Sequence, residues 1–193
     1  IAKVKILRLD RIKAHYALAR IYENQGMAEK AITEYKALLE FEPKNFYTWR
    51  QLGVKYANIG QYSEAEKAYE TSIEIAPMDI EAYLDRGDLF FKMARVSEAG
   101  KEYEKAMEIA PYDGRGFLAL GRLYRQGGKL DDAENIYRKA IKFSPENAQL
   151  HLALATLMEE KKQPDLAMSE YKEVLKIEPA NKEAKIRLES LKK

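Results

Sequence analysis

The chain has 193 residues, of which 46% are apolar, and its 33 basic and 31 acidic side chains leave a formal net charge of +2 at pH 7. That balance excludes a disordered or fibrous chain and gives no general electrostatic pull toward nucleic acid. No apolar run approaches the roughly 18–20 residues of a membrane span, and the absence of cysteine excludes disulfides and thiolate metal sites while leaving the compartment open between cytoplasm and periplasm.

A single period organises the sequence. Five of the six prolines, Pro43, Pro77, Pro111, Pro145 and Pro179, stand 34 residues apart. The same step links Ala31, Ala65, Ala99, Ala133 and Ala167, and it links Tyr35, Tyr69, Tyr103, Tyr137 and Tyr171. A third column holds the small residues Ala19, Gly53, Gly87, Gly121 and Ala155, and a fourth holds Tyr22, Tyr56, Phe90, Tyr124 and Met158. Self-similarity at such a period marks an array of one supersecondary unit.

In chain order, residues 1–11 include "VKILRLDR" (Val4–Arg11), which reads as the tail of a preceding repeat's second helix or as an N-terminal cap. The start at Ile1, with neither Met nor a signal-like stretch, reads as a piece of a longer protein. Five units follow at 12–45, 46–79, 80–113, 114–147 and 148–181. In the second, Trp49, Leu52, Gly53 and Tyr56 recur at three- and four-residue steps, as one face of a helix does. Gly60 suits the left-handed residue that ends such a helix. Ala65, Tyr69 and Ile73 line the next helix, and Pro77, which has no N–H to donate, follows it. Two residues past each proline, Asn45, Asp79, Asp113, Asn147 and Asn181 are expected to cap the helix that comes next.

The unit at 80–113 departs most from the pattern. Arg86 stands where Leu is usual, Ala94 replaces the turn glycine, and Gly100 sits inside the second helix at a cost of about 1 kcal/mol. This unit is expected to be the softest joint. Residues 182–193, "KEAKIRLESLKK", set Ala184, Leu188 and Leu191 on one stripe and read as a capping helix.

The stretch Trp49–Pro77, "WRQLGVKYANIGQYSEAEKAYETSIEIAP", resembles a tetratricopeptide repeat: Trp, Leu-Gly, Tyr, then Ala, an aromatic and Pro at the 34-residue period. The resemblance covers all five units. It implies an all-α fold, an α-solenoid in which antiparallel helix pairs stack into a right-handed superhelix, with the small residue of each first helix letting a neighbour approach.

Catalytic chemistry has little support. His15 and His151 fall in the column of Trp49, Tyr83 and Phe117 and read as packing residues. "DGRGFLALGRLYRQGG" follows no strand and lacks the Lys-Ser/Thr of a phosphate loop. No nucleophile stands beside a base, and no cofactor or metal is expected. Of the 13 tyrosines, all but Tyr16, Tyr47, Tyr62 and Tyr112 belong to packing columns, which argues against a stacking surface for RNA.

The resemblance further implies a concave inner wall of first helices that receives a peptide or helix of a partner protein. Projected onto it, the first three repeats contribute Tyr16, Arg20 and Asn24, then Tyr47, Arg50 and Asn58, then Asp85, Asp88 and Phe91. Repeat four contributes Arg115, Arg122 and Arg125, which lie within about 80° on one helix face. Such a set suits carboxylates, so an acidic segment of the partner is expected over repeat four; the plainer alternative is that these arginines and the acids of repeat three stay solvated and pair with each other. The Lys, Asn, Asn, Lys, Arg clamp for chaperone tails does not transfer, because its places hold Arg50, Val54, Asp85, Arg115 and Ala119. The expected function is a non-enzymatic interaction scaffold that binds neither nucleic acid nor a membrane interior. The alternatives are a self-assembling structural array and the repeat region of a larger enzyme.

Overall fold

The periodic apolar columns form helices wherever a turn signal bounds them. The computed structural model describes residues 2–191, with side chains from Leu7 onward, and among the described residues there are eleven helices. Contacts divide the chain into two units between Arg95 and Val96.

The first unit holds α1 (Ala2–Asn24), α2 (Ala28–Phe41), α3 (Phe46–Asn58), α4 (Tyr62–Ile75) and α5 (Ile80–Lys92). Each helix packs on the next, which is the stacking of an α-solenoid. Its core takes Ala19, Ala31, Tyr35, Leu38, Leu52, Tyr56, Ala65 and Tyr69 from the four columns and the positions beside them. No turn separates the expected tail at 1–11 from the first repeat. Val4–Arg11 contains neither Gly nor Pro, so α1 runs unbroken, and Arg8 donates to the Phe41 carbonyl at the end of α2.

The second unit holds α6 (Val96–Ile109), α7 (Gly114–Gln126), α8 (Leu130–Phe143), α9 (Ala148–Glu160), α10 (Pro164–Ile177) and α11 (Lys182–Ser190). Here too successive helices pack on one another, around Tyr137, Leu154, Ala155, Met158 and Tyr171. α11 buries Ala184 and Leu188 and leaves Ile186 exposed.

The columns have distinct physical tasks. The small residue of a first helix faces the tyrosine of its second helix: a Cβ on Gly53 would lie 2.7 Å from Tyr69 Cε1, and one on Gly121 would lie 2.1 Å from Tyr137 Cε1. The turn inside each pair needs a left-handed residue, supplied by Gly26, Gly60 and Gly128. Ala94 and Lys162 occupy the same place at φ 59°, so both carry the Cβ strain of that conformation.

Four of the five expected caps form. The backbone N–H of Thr48 donates to Asn45, that of Arg115 to Asp113, those of Gln149 and Leu150 to Asn147, and that of Ala184 to Asn181. Asp79 does not cap α5, which corrects the expectation from its spacing. Its carboxylate lies 4.0 Å from the Arg50 guanidinium instead, beyond hydrogen-bond distance, and its buried Oδ2 has no hydrogen-bond partner.

Candidate partner-binding surface

The first helices carry the residues singled out from the sequence, and these divide into groups held by internal partners and groups facing solvent. In α1, Arg20 and Asn24 are exposed. Tyr16 is half-buried and its hydroxyl is engaged: it lies 2.9 Å from Thr48 Oγ1 and accepts from Asn45 Nδ2 at 2.9 Å. Those bonds tie α1 to the cap of α3, so Tyr16 is a joint residue.

Arg50 of α3 is the centre of an acidic cluster. Its guanidinium meets Asp79 at 4.0 Å, Glu81 at 3.5 Å and Asp85 at 3.9 Å, and it lies 5.6 Å from the ring centre of Tyr47. One cation therefore faces three carboxylates. Burial pushes the Asp85 carboxyl up to about 6; Arg50 opposes that shift, while Glu81, Asp88 and Asp79 add to it. The same burial, with Asp85 and Asp88 nearby, raises the Tyr69 phenol above its ordinary value. Tyr47 is exposed beside this cluster, Asn58 at the end of α3 and Asp88 are exposed, and Phe91 is half-buried. Arg86, out of place as a Leu substitute, sets its guanidinium 5.9 Å from the Phe90 ring, and Arg95 covers that ring at 4.2 Å while pairing with Glu66 at 2.7 Å.

In the second unit the three arginines do not share one environment. Arg115 pairs with Asp113 at 2.7 Å, and this bond holds the Asp113 carboxyl below its ordinary range. Arg125 reaches across to α9, pairing with Glu160 at 3.3 Å and donating to Thr156 Oγ1 at 3.4 Å. Arg122 is exposed and makes no ion pair among the described residues. An open cavity of about 430 Å³ adjoins Arg125; Arg125 and Arg187 line it together with the acids Glu159, Glu160 and Glu183, beside Gln149, Thr156, Leu152 and Ala153. Its walls come from α7, α9 and α11, so it offers charges of both signs beside two apolar side chains.

The histidine column carries more polarity than packing alone requires. His151 Nε2 lies 2.9 Å from the Pro145 carbonyl and its Nδ1 lies 2.7 Å from Glu170. Trp49 donates to Pro43 O at 2.8 Å and Tyr83 to Pro77 O at 3.2 Å, so this column fastens the first turn of a first helix to the proline joint before it. His15 faces Glu34 at 2.6 Å. Among the described residues no group of three or more His, Asp or Glu side chains is disposed to hold a metal ion, and no helix is long and apolar enough to cross a membrane.

The family model of the cilia and flagella-associated protein 70 C-terminal domain, a tetratricopeptide-repeat region, matches residues 7–191. No curated protein matches the chain. Among solved structures, MamA from Desulfovibrio magneticus RS-1 superposes with a TM-score of 0.68 at 22% identity, covering 90% of this chain and 98% of that one. Pseudomonas aeruginosa PilF superposes with a TM-score of 0.72 at 19% identity, covering 95% and 84%. YrrB, a tetratricopeptide-repeat protein with an unusual peptide-binding site, gives 0.61 at 17% identity, covering 93% and 91%. These superpositions show the shared fold. The chain belongs to the family of the cilia and flagella-associated protein 70 C-terminal domain, within the tetratricopeptide repeats.

Proposed function

We propose that this protein is a non-catalytic interaction scaffold whose first-helix surfaces bind a segment of a partner protein. The observation that carries the reading is Arg122, exposed and without an ion pair among the described residues, three residues before the Arg125 that lines the open cavity of α7, α9 and α11. A guanidinium without an existing ion pair has none to break and can hold a carboxylate through two parallel hydrogen bonds. The neighbouring Arg125 and Arg187 keep weaker, partly exposed pairs at 3.3 and 3.6 Å, which a ligand carboxylate can displace at small cost. Leu152 supplies an apolar contact beside them. The partner segment is therefore acidic where it meets repeat four, with an apolar side chain next to the acid. On the first unit, Tyr47, Arg20, Asn24 and Asn58 are a candidate surface of their own, with Tyr16 and Arg50 held by internal partners. YrrB offers a precedent for peptide binding on this fold.

The test is an array of synthetic peptides with acidic, basic and mixed-charge sequences, probed with wild-type protein and with an Arg115, Arg122, Arg125→Glu variant. Acidic peptides carrying an adjacent apolar residue should be retained by the first, lost by the second, and weakened by salt. Equal retention by both proteins would refute the reading.

A further inference from the structure

The period that pairs the histidines with glutamates leaves one gap. Nineteen residues after each member of the histidine column stand Glu34, Ala68, Glu102, Ile136 and Glu170. Glu34 and Glu170 reach the two histidines, and Ile136 packs against Phe117. In the second repeat the pair is Trp49 and Ala68, a large ring facing the smallest side chain of its column. The result is an open cavity of about 560 Å³ between α2 and α4, with Leu39, Trp49, Leu52, Tyr56 and Ala68 as its apolar lining.

Its rim is charged in both signs. Lys36 and Glu40 of α2 and Glu64 and Lys67 of α4 are all exposed, and none makes an ion pair among the described residues. Lys36 reaches over the cavity, its Nζ 5.6 Å from the Tyr56 ring centre. On each wall an acid and a base stand about one helical turn apart.

We infer that this cavity between the second helices is a second docking site, and that its occupant is an amphipathic helix of a partner protein inserting one large apolar side chain over Ala68. The backbone of α2, α3 and α4 is already paired within those helices, so the cavity offers an extended segment nothing to satisfy its own N–H and C=O groups. A helix satisfies them internally. Its charges recur at one turn, the spacing of the unpaired charges on both walls, so an acid and a base flanking the anchor meet Lys36 or Lys67 and Glu40 or Glu64. The site shares α3 with the first-helix surface proposed above but none of its named residues, and the two stand or fall separately.

Trp49 is the only tryptophan, so the protein reports on the site by itself. A displayed library of helical peptides free of tryptophan would be selected on wild-type protein and counter-selected on Ala68→Ile, the residue that the same position carries in repeat four. Recovered helices should share one large apolar residue flanked by acid and base, shift the Trp49 emission, and bind Ala68→Ile at least about tenfold more weakly. Circular dichroism must show the variant folded; the doubly exchanged Glu64→Lys, Lys67→Glu protein, altered only on the exposed rim, should change which flanking charges are selected. The proposal is overturned if no helix distinguishes wild type from Ala68→Ile. It is equally overturned if N-acetyl-phenylalaninamide shifts Trp49 as tightly as the helices, or if Trp49 emission depends on protein concentration alone.

Discussion

The Tyr35 hydroxyl donates to the Glu23 carboxylate at 2.7 Å, tying α2 back to α1. Tyr171 makes the same bond to Glu159. Both glutamates stand four residues after the alanine of their first helix, Ala19 and Ala155. Where that alanine is Gly121, the residue four further on is Arg125, and the Tyr137 hydroxyl is buried with no hydrogen-bond partner. These three joints therefore take two forms, one with a polar tie and one with a glycine against the ring.

The two forms respond oppositely to loss of the hydroxyl. Tyr35→Phe and Tyr171→Phe should each cost about 1–2 kcal/mol, because each removes a bond to a carboxylate. Tyr137→Phe removes a buried unsatisfied group and should leave stability unchanged or raise it by up to about 1 kcal/mol. Urea denaturation of the three variants checks this. A destabilised Tyr137→Phe would mean that its hydroxyl has a partner.

Glycines within helices should differ just as clearly. A Cβ on Gly100 would sit 3.5 Å from Leu123 Cδ2, in ordinary contact, so Gly100→Ala should gain about 1 kcal/mol of helix propensity. Gly121→Ala gains the same propensity but drives a Cβ to 2.1 Å from the buried Tyr137 ring. Overpacking of that kind costs about 1–3 kcal/mol, so the net change should be a loss. Thermal melts of the two variants should move in opposite directions.

Much of this was legible in the sequence, and the boundary is physical. A column of identical residues at one period reports what every unit needs, such as a proline joint, a close approach or an Asx cap. It does not report what one column does to another. The Tyr–Glu tie, the His–Glu pairs and the Trp49–Ala68 gap each depend on two columns changing together, twelve or nineteen residues apart and on different helices. Asp79 looked like its four counterparts because the spacing was right, yet its carboxylate turns toward Arg50 and makes no cap, which its own column does not report. The place of Tyr16 depended on Asn45 having an amide to spare after capping, which only the geometry reveals.

The left-handed turn positions give a third prediction. Ala94 and Lys162 hold φ 59° where three other units place glycine. Relief of the Cβ contact gains about 1–2 kcal/mol, and the greater freedom of glycine in the unfolded chain returns roughly half of it. Ala94→Gly and Lys162→Gly should each stabilise by about 0.5–1 kcal/mol, and the two should add because the sites share no partners. Hydrogen exchange at the α5–α6 turn should slow in Ala94→Gly, the unit expected from the sequence to be softest.

Asp85 makes stability depend on pH in a defined window. Its folded-state pKa of about 6 lies above the ordinary 3.8, so the folded protein binds this proton more tightly than the unfolded chain does. The contribution of this group is then full below about pH 4, falls as pH rises through about 6, and is lost above it. The whole shift corresponds to roughly 3 kcal/mol, but the side chain is 31% exposed, and solvent screening reduces the effect to about 1–2 kcal/mol. Asp85→Asn removes the penalty of a buried carboxylate beside Glu81 and Asp88 while leaving Arg50 its contacts with Asp79 and Glu81. The variant should therefore be more stable than wild type at pH 8 by about 1–2 kcal/mol, with the difference vanishing near pH 4. Urea midpoints of both proteins at the two pH values measure it. A variant less stable at pH 8 would show that the Arg50–Asp85 attraction outweighs the burial of the carboxylate.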